Sequence, residues 1–272
     1  MKQAYQDTNA AALPDGVRPN KALGQNFLTD ADVVCQIADA VGAADALVLE
    51  IGPGLGALTR PLLARARRVV AVEKDAGLAA LLKSALPDER LTVVTGDFLT
   101  ADVPQLVGGE PYVAAGNLPY YVTSPIVEKL LALCPVSITV MVQREAAERF
   151  FAAPGERVYG PVAAVTGVFY VPARVLSVPR QAFTPQPNVD SEVVRLERRA
   201  CVDPAAAGAF LRFCHRAFSM RRKTLRNNLP PANACADALR ALGCPEDARA
   251  EALPPETLFA LFSMPFWKGE PT

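Results

Sequence analysis

The sequence predicts an α/β protein: a mostly parallel sheet covered by helices on both faces, followed by a small all-helical domain. Three observations carry this expectation. Apolar, β-branched runs recur at 46–52 ("ALVLEIG"), 68–74 ("RVVAVEK"), 91–97 ("LTVVTGD"), 112–117 ("YVAAGN") and 137–143 ("SITVMVQ"). Helical patterns such as "ALTRPLLARA" and "AGLAALLKSAL" lie between them. Strands that are apolar almost throughout, alternating with helices, belong to a parallel sheet buried on both faces. Strand signals then stop near Cys201, and the remainder reads as helices divided by prolines and a glycine ("NNLPPAN", "LGCPED", "LPPE").

Taken in order, residues 1–17 read as a mobile tail, 18–200 as the catalytic α/β domain and 201–272 as the helical domain. The opening "MKQAYQDTNAAALPDG" lacks the apolar core of a signal peptide. "GVFYVPARVLSVP" and "SEVVRLE", with little helix between them, read as an antiparallel pair closing the sheet. The chain has 272 residues, 51% of them hydrophobic, which suffices for one α/β core and a small appendage. No apolar run reaches the ~18 residues of a membrane span, so no membrane partner is expected. The six cysteines are scattered with no C-x-x-C pair, and His215 is the sole histidine. A metal site is therefore not expected, and free thiols in a reducing cytoplasm are. Nothing demands a dimer, so a monomer is expected.

The first strand runs into "EIGPGLGALT". Gly52, Gly54 and Gly56 permit a tight turn and a close backbone approach to a ligand at the start of a helix. Such a turn can also serve packing alone. The spacing is G-x-G-x-G, not the G-x-G-x-x-G of dinucleotide sites, and Glu50 stands just before it. That form resembles the S-adenosylmethionine (SAM) turn of class I methyltransferases. The second strand ends in Glu73, where an acid can accept hydrogen bonds from ribose hydroxyls. The third ends in "TGDF", where Asp97 can accept from an adenine amino group with Phe98 beside the ring. Ligands of such sheets bind at the carboxyl ends of the strands, so three ends bearing Gly, Glu and Asp indicate an adenosine-containing cofactor.

The fourth strand ends in "NLPYY". This resembles the N/D-P-P-Y/F signature of methyltransferases that act on planar amino groups. The N6 of adenine is a poor nucleophile, because its lone pair is delocalised into the ring. The side-chain carbonyl of Asn117 and the backbone carbonyl of Leu118 can accept hydrogen bonds from that amine and stabilise the positive charge that grows as a methyl arrives. Pro119 fixes its own φ and extends Leu118, aiming that carbonyl outward. Tyr120 offers a flat face, and stacking is worth ~1–3 kcal/mol per base.

Taken together, the motifs resemble the KsgA/RsmA family of small-subunit (16S) ribosomal RNA adenine N6,N6-dimethyltransferases. Beyond those above, they are "KALGQNFLTD" (21–30), "VEKD" (72–75), "VQREAAERF" (142–150), "FTPQPNVDSEVVRL" (183–196) and "RRKTLRNNL" (221–229), spread from about residue 18 to 265. The resemblance implies a class I SAM-dependent, Rossmann-like fold with a mostly parallel seven-stranded sheet and a small helical C-terminal domain. It implies cofactor contacts from Asn26 and Leu28 besides Gly52, Gly54, Glu73, Asp97, Phe98 and Asn117, and it sets Phe183 opposite Tyr120 across the target base. Read alone, Asn26 and Leu28 would be a helix-start segment and Phe183 a core residue. The implied substrate is two adjacent adenines in the 3′-terminal hairpin loop of small-subunit rRNA, each dimethylated during ribosome biogenesis, and the implied location is the cytoplasm.

Net formal charge is +0, so RNA binding must rest on a local patch and on shape. "FLRFCHRAFSMRRKTLRNNL" (210–229) holds Arg221, Arg222, Lys223 and Arg226 and no acid. Phe210, Phe213, Ala217 and Phe218 fall at inward-facing helical spacing, which leaves the basic residues for phosphates, or for solvation alone. His215 reads as a helix-surface or capping residue rather than a catalyst, because nothing in the sequence pairs with it. Three other readings stand beside the leading one: a large-subunit rRNA adenine N6-methyltransferase of the antibiotic-resistance type, a non-catalytic ribosome assembly factor, and a nicotinamide-dependent oxidoreductase. The glycine spacing and "NLPY" disfavour the last.

Overall fold

The strands form in the runs where the sequence is apolar on both faces. The structure is a computed structural model that describes residue 13, residues 18–20 and residues 23–267. Apart from Leu13, the expected tail over residues 1–17 lies outside the described residues, as do Lys21 and Ala22. In chain order the strands are β1 (Phe27–Leu28), β2 (Leu47–Ile51), β3 (Arg68–Glu73), β4 (Leu91–Thr95), β5 (Val113–Asn117), β6 (Ser137–Gln143), β7 (Tyr170–Val178), β8 (Phe183–Thr184) and β9 (Ser191–Arg198). The helices are α1 (Ala31–Val41), α2 (Thr59–Leu63), α3 (Ala76–Ala85), α4 (Val103–Val107), α5 (Thr123–Leu133), α6 (Arg144–Phe151), α7 (Pro161–Phe169), α8 (Ala207–Ala217), α9 (Leu225–Asn228), α10 (Ala232–Ala241) and α11 (Pro255–Phe262).

Seven strands make one sheet in the order β4-β3-β2-β5-β6-β9-β7, and β1 with β8 forms a separate antiparallel pair. β2 is buried along its whole length, β5 and β6 along all but their last residue, whereas the edge strand β4 is largely uncovered. β2 pairs in parallel with both β3 and β5, so the chain order reverses between β2 and β5. That reversal opens a crevice beyond the carboxyl ends of these strands. The register sets Ile51 beside Gly116 and Asn117 beside Met141, which brings the glycine turn and the NLPY stretch to one edge.

Local chemistry starts and stops the helices. The Asp30 carboxylate caps α1 by accepting from the N–H groups of Asp32 and Val33, and Gly42 ends it in the left-handed region. Asp75 caps α3 in the same way through Gly77 and Leu78. The expected strand starting at Gly167 is corrected here: α7 runs to Phe169 and β7 begins only at Tyr170. Pro161 in its first turn suits a helix start. α7 is buried on nearly all sides, and periodicity cannot tell such a helix from a strand.

The chain divides into two compact units, residues 1–126, 135–147 and 173–196 in one and 127–134, 148–172 and 197–272 in the other. The second takes in more of the chain than the stretch after Cys201 that the sequence set apart. Its core is aromatic. Phe210 stacks on Phe213 at 6.0 Å and meets Phe259 edge-on at 5.1 Å, with Phe169 and Phe262 around it. Phe213 and Phe210 are both fully buried, as their spacing on α8 required. Phe210→Ala should therefore destabilise this unit by about 3–5 kcal/mol. Urea unfolding followed by far-UV circular dichroism measures it, and a loss below about 1 kcal/mol would show that the cluster is not the unit's core.

Candidate active site

A cavity of about 200 Å³ lies at the carboxyl ends of β2 to β5, lined by the glycine turn, the ends of β3 and β5, the "GDF" segment and residues 23–29. Glu73 is its main anchor. One carboxylate oxygen accepts from the N–H of Gly54 at 2.9 Å and the other from the N–H of Asp75 at 2.9 Å. Burial raises its pKa, and these two backbone donors pull it back down. Gly52 and Gly54 both lie at positive φ, +66 and +56 degrees, which lets the turn fold back and offer the Gly54 N–H to Glu73.

Glu50 is a different kind of carboxyl. It is 1% exposed, lines the cavity, and its Oε2 has no hydrogen-bond partner among the described residues. Burial pushes its pKa up to about 8; the Thr59 hydroxyl, nearby but short of hydrogen-bond geometry, opposes this, and Glu73 adds a smaller upward push. Asp97 accepts from the N–H of Leu99 through one oxygen and pairs with Lys74 through the other at 2.8 Å. Phe98 is 4% exposed and also lines the cavity.

Asn117 ends β5 with its Nδ2 donating to the backbone carbonyl of Asn26 at 3.2 Å. A carbonyl can only accept, so this contact takes the amide nitrogen, and Oδ1 accepts no hydrogen bond among the described residues. The N–H of Leu118 donates to the Met141 carbonyl at 3.1 Å, which fixes the peptide beside it. Pro119 is extended at φ −60 and ψ 130 degrees. Tyr120 follows in a single 3-10 turn, Tyr120–Val122, and its hydroxyl shares a 2.7 Å hydrogen bond with Ser191. Burial raises the pKa of this phenol.

The structure therefore gathers Asn26, Leu28, Gly52, Gly54, Glu73, Asp97, Phe98, Asn117, Leu118, Pro119 and Tyr120 around one cavity. Phe183 is not among them. It is 2% exposed, opposite Leu28 in the β1–β8 pair and packed into the core. Sequence reasoning missed Ser191, Lys74 and Tyr121. Ser191 stood inside a motif already singled out, but nothing local tied it to Tyr120, 71 residues away.

The basic segment belongs to the second unit. Arg221 is exposed but engaged: it donates to the Tyr159 carbonyl at 2.9 Å and pairs with Glu251 at 3.1 Å. Arg222, Lys223 and Arg226 are exposed and form no ion pair among the described residues. The expectation that His215 has no partner is corrected: its Nε2 lies 3.3 Å from a Glu128 carboxylate oxygen, a residue too distant in sequence to be foreseen. All six cysteines are free. Among the described residues no helix is long and apolar enough to cross a membrane, and no cluster of three His, Cys, Asp or Glu side chains could hold a metal ion.

Residues 16–264 match the family described as ribosomal RNA adenine dimethylase. The chain is 43% identical over 248 residues to ribosomal RNA small subunit methyltransferase A of Deinococcus radiodurans, covering 88% of this chain and 83% of that one. It is 41% identical over 259 residues to the protein of the same name from Chlorobium luteolum, covering 92% of each. Among solved structures, a dimethyladenosine transferase from Plasmodium falciparum shares the fold with a TM-score of 0.72 at 24% identity, over 86% of this chain and 95% of that one. The 23S rRNA methyltransferase ErmE superposes with a TM-score of 0.64 at 32% identity, over 87% of this chain and 98% of that one.

The Glu50 carboxyl makes stability depend on pH. Between its ordinary 4.5 and its folded value of about 8, the unfolded chain has lost this proton and the folded chain holds it. Stability therefore falls as pH rises through that window and levels off above it. Glu50→Gln removes this contribution, so the cofactor-free variant should gain on wild type across the window, by on the order of a few kcal/mol at its upper end. Melting temperatures measured against pH test this, and a difference that does not change with pH would refute it.

Proposed function

This chain belongs to the ribosomal RNA adenine dimethylase family, and we propose that it dimethylates N6 of two adjacent adenines in the 3′-terminal hairpin loop of small-subunit (16S) rRNA, using S-adenosylmethionine. It is an enzyme of the class I methyltransferase fold. The observation that carries the finer reading is the orientation of Asn117: with Nδ2 committed to Asn26, Oδ1 is the acceptor left at the end of β5. Relatives named for the small subunit stand at 43% and 41% identity over 83% and 92% of their own length, which supports the small-subunit reading.

The cavity's own residues suit this cofactor. Its α-ammonium group and its sulfonium are cationic, and the Glu50 oxygen that has no partner among the described residues is a buried acceptor suited to such a group. Glu73 holds the glycine turn and keeps lone pairs for ribose hydroxyls, while Asp97 and Phe98 flank the adenine side. When bound, SAM supplies a methyl group already activated on sulfur. Asn117 Oδ1 and the Leu118 carbonyl would hold the two N–H bonds of the target amine, leaving its lone pair facing the donor. Tyr120 would stack on the base. Its phenol is no base at neutral pH, since burial raises its pKa and Ser191 engages its hydroxyl. The methyl would pass to the N6 held by Asn117 and Leu118, whose proton would then leave to water. Positioning of this kind can supply ~7–11 kcal/mol of the barrier.

The direct test incubates purified protein, tritiated SAM and unmodified small subunits, and identifies N6,N6-dimethyladenine by mass spectrometry. Label in large-subunit RNA alone would instead establish the 23S reading, and no label in either would establish an assembly factor. In the same assay Asn117→Ala should lower turnover roughly 10²–10³-fold and leave SAM affinity within about tenfold. An equal loss in both would make Asn117 a cofactor ligand only. For the basic patch, replacing Arg222, Lys223 and Arg226 with alanine while keeping Arg221 should weaken subunit binding and reduce the salt slope by about 2–3. An unchanged slope would leave these residues as a solvated face.

A further inference from the structure

Tyr121 stands out from the other rings among the described residues. Among the described residues it is the one aromatic side chain in the set of exposed large apolar residues, at 52% exposure, and it lines the same cavity as Tyr120. The two tyrosines are consecutive in the turn after Pro119 and diverge. Tyr120 reaches inward to Ser191, while Tyr121 stays at the rim. The rim ring is supported rather than loose. A Cβ at Gly24 would stand 3.1 Å from its Cδ1, and Gly24 has a φ of +58 degrees, so only glycine both makes the turn and leaves space for the ring.

The support is continuous with the reaction centre. The Gly24 carbonyl accepts from Asn26 Nδ2 at 3.1 Å, and the Asn26 carbonyl in turn orients Asn117. A firmly backed aromatic face at the mouth of a pocket for a flipped base has an obvious use. Once one base leaves the stack, the neighbouring base loses a stacking partner, and every nucleobase has a π-face to offer. We propose that Tyr121 is a second stacking platform, taking the base next to the adenine held in the pocket. This rests on the nucleic-acid reading given above, and it adds a subsite for a flanking base.

The test compares Tyr121→Leu, Tyr121→Phe and Tyr121→Trp on unmodified small subunits, with SAM affinity measured by calorimetry. Leucine keeps apolar bulk without a π-face. It should raise KM for the subunit about 5- to 150-fold with SAM affinity unchanged, whereas phenylalanine and tryptophan should retain wild-type KM. The proposal is overturned if leucine matches phenylalanine, because the ring then only fills space. It is overturned equally if SAM affinity falls in step with KM, because Tyr121 is then a prop for the Gly24 turn. Wild-type labelling reports on the substrate reading independently. If only large subunits are labelled, the small-subunit assignment falls and the same three variants are compared on the large subunit; if neither is labelled, both readings fall.

Discussion

One hydrogen bond, from Asn117 Nδ2 to the Asn26 carbonyl, decides what the end of β5 can do. An asparagine amide has a donating end and an accepting end, and which faces a substrate is ordinarily free to change. Here a peptide oxygen from a segment 91 residues away takes the donating end, and the acceptor is left in place. The same segment then carries the constraint outward. Asn26 also binds the Gly24 carbonyl, Gly24 backs the Tyr121 ring, and Leu28 pairs with the β8 strand. The stretch before α1 is thus part of the site, because the chemistry at β5 depends on where its backbone lies.

The second organising feature is a pair of carboxyls in very different circumstances. Glu73 spends both oxygens on backbone donors and so fixes the glycine turn. Glu50 lies deeper and has an oxygen with no partner, which costs folding energy. A carboxyl kept in such a place destabilises the cofactor-free fold. Such a carboxyl also suits a cation, whose charge would favour the ionised form and supply the missing partner. Strain of this sort is concentrated where a protein binds its ligand.

The sheet was legible because burial on both faces leaves a long apolar signature, and the glycine turn, Glu73, Asp97 and Asn117 were legible because only a few residue types suit a strand's carboxyl end. What could not be read were contacts between distant positions. Nothing near Arg221 hints that Glu251 and the Tyr159 carbonyl hold it, and nothing near His215 hints at Glu128. Phe183, which the resemblance set opposite Tyr120 and its residue type assigned to the core, is buried opposite Leu28. α7 misled for a physical reason: a helix buried on nearly all sides has no polar stripe to reveal its period.

These features together bear on how a neutral chain holds RNA. With 28 basic and 28 acidic residues, its net charge provides no overall attraction for a polyanion. Arg221, committed to Glu251, contributes less than its position in a basic run suggests. If the exposed Arg222, Lys223 and Arg226 meet phosphates as proposed above, their effect is screened by salt beyond about 10 Å. Stacking is short-ranged, insensitive to salt and indifferent to base identity. If, as proposed above, the site takes a flipped nucleotide, two rigid aromatic faces serve a chain of no net charge better than one, and Tyr120 and Tyr121 stand side by side after Pro119.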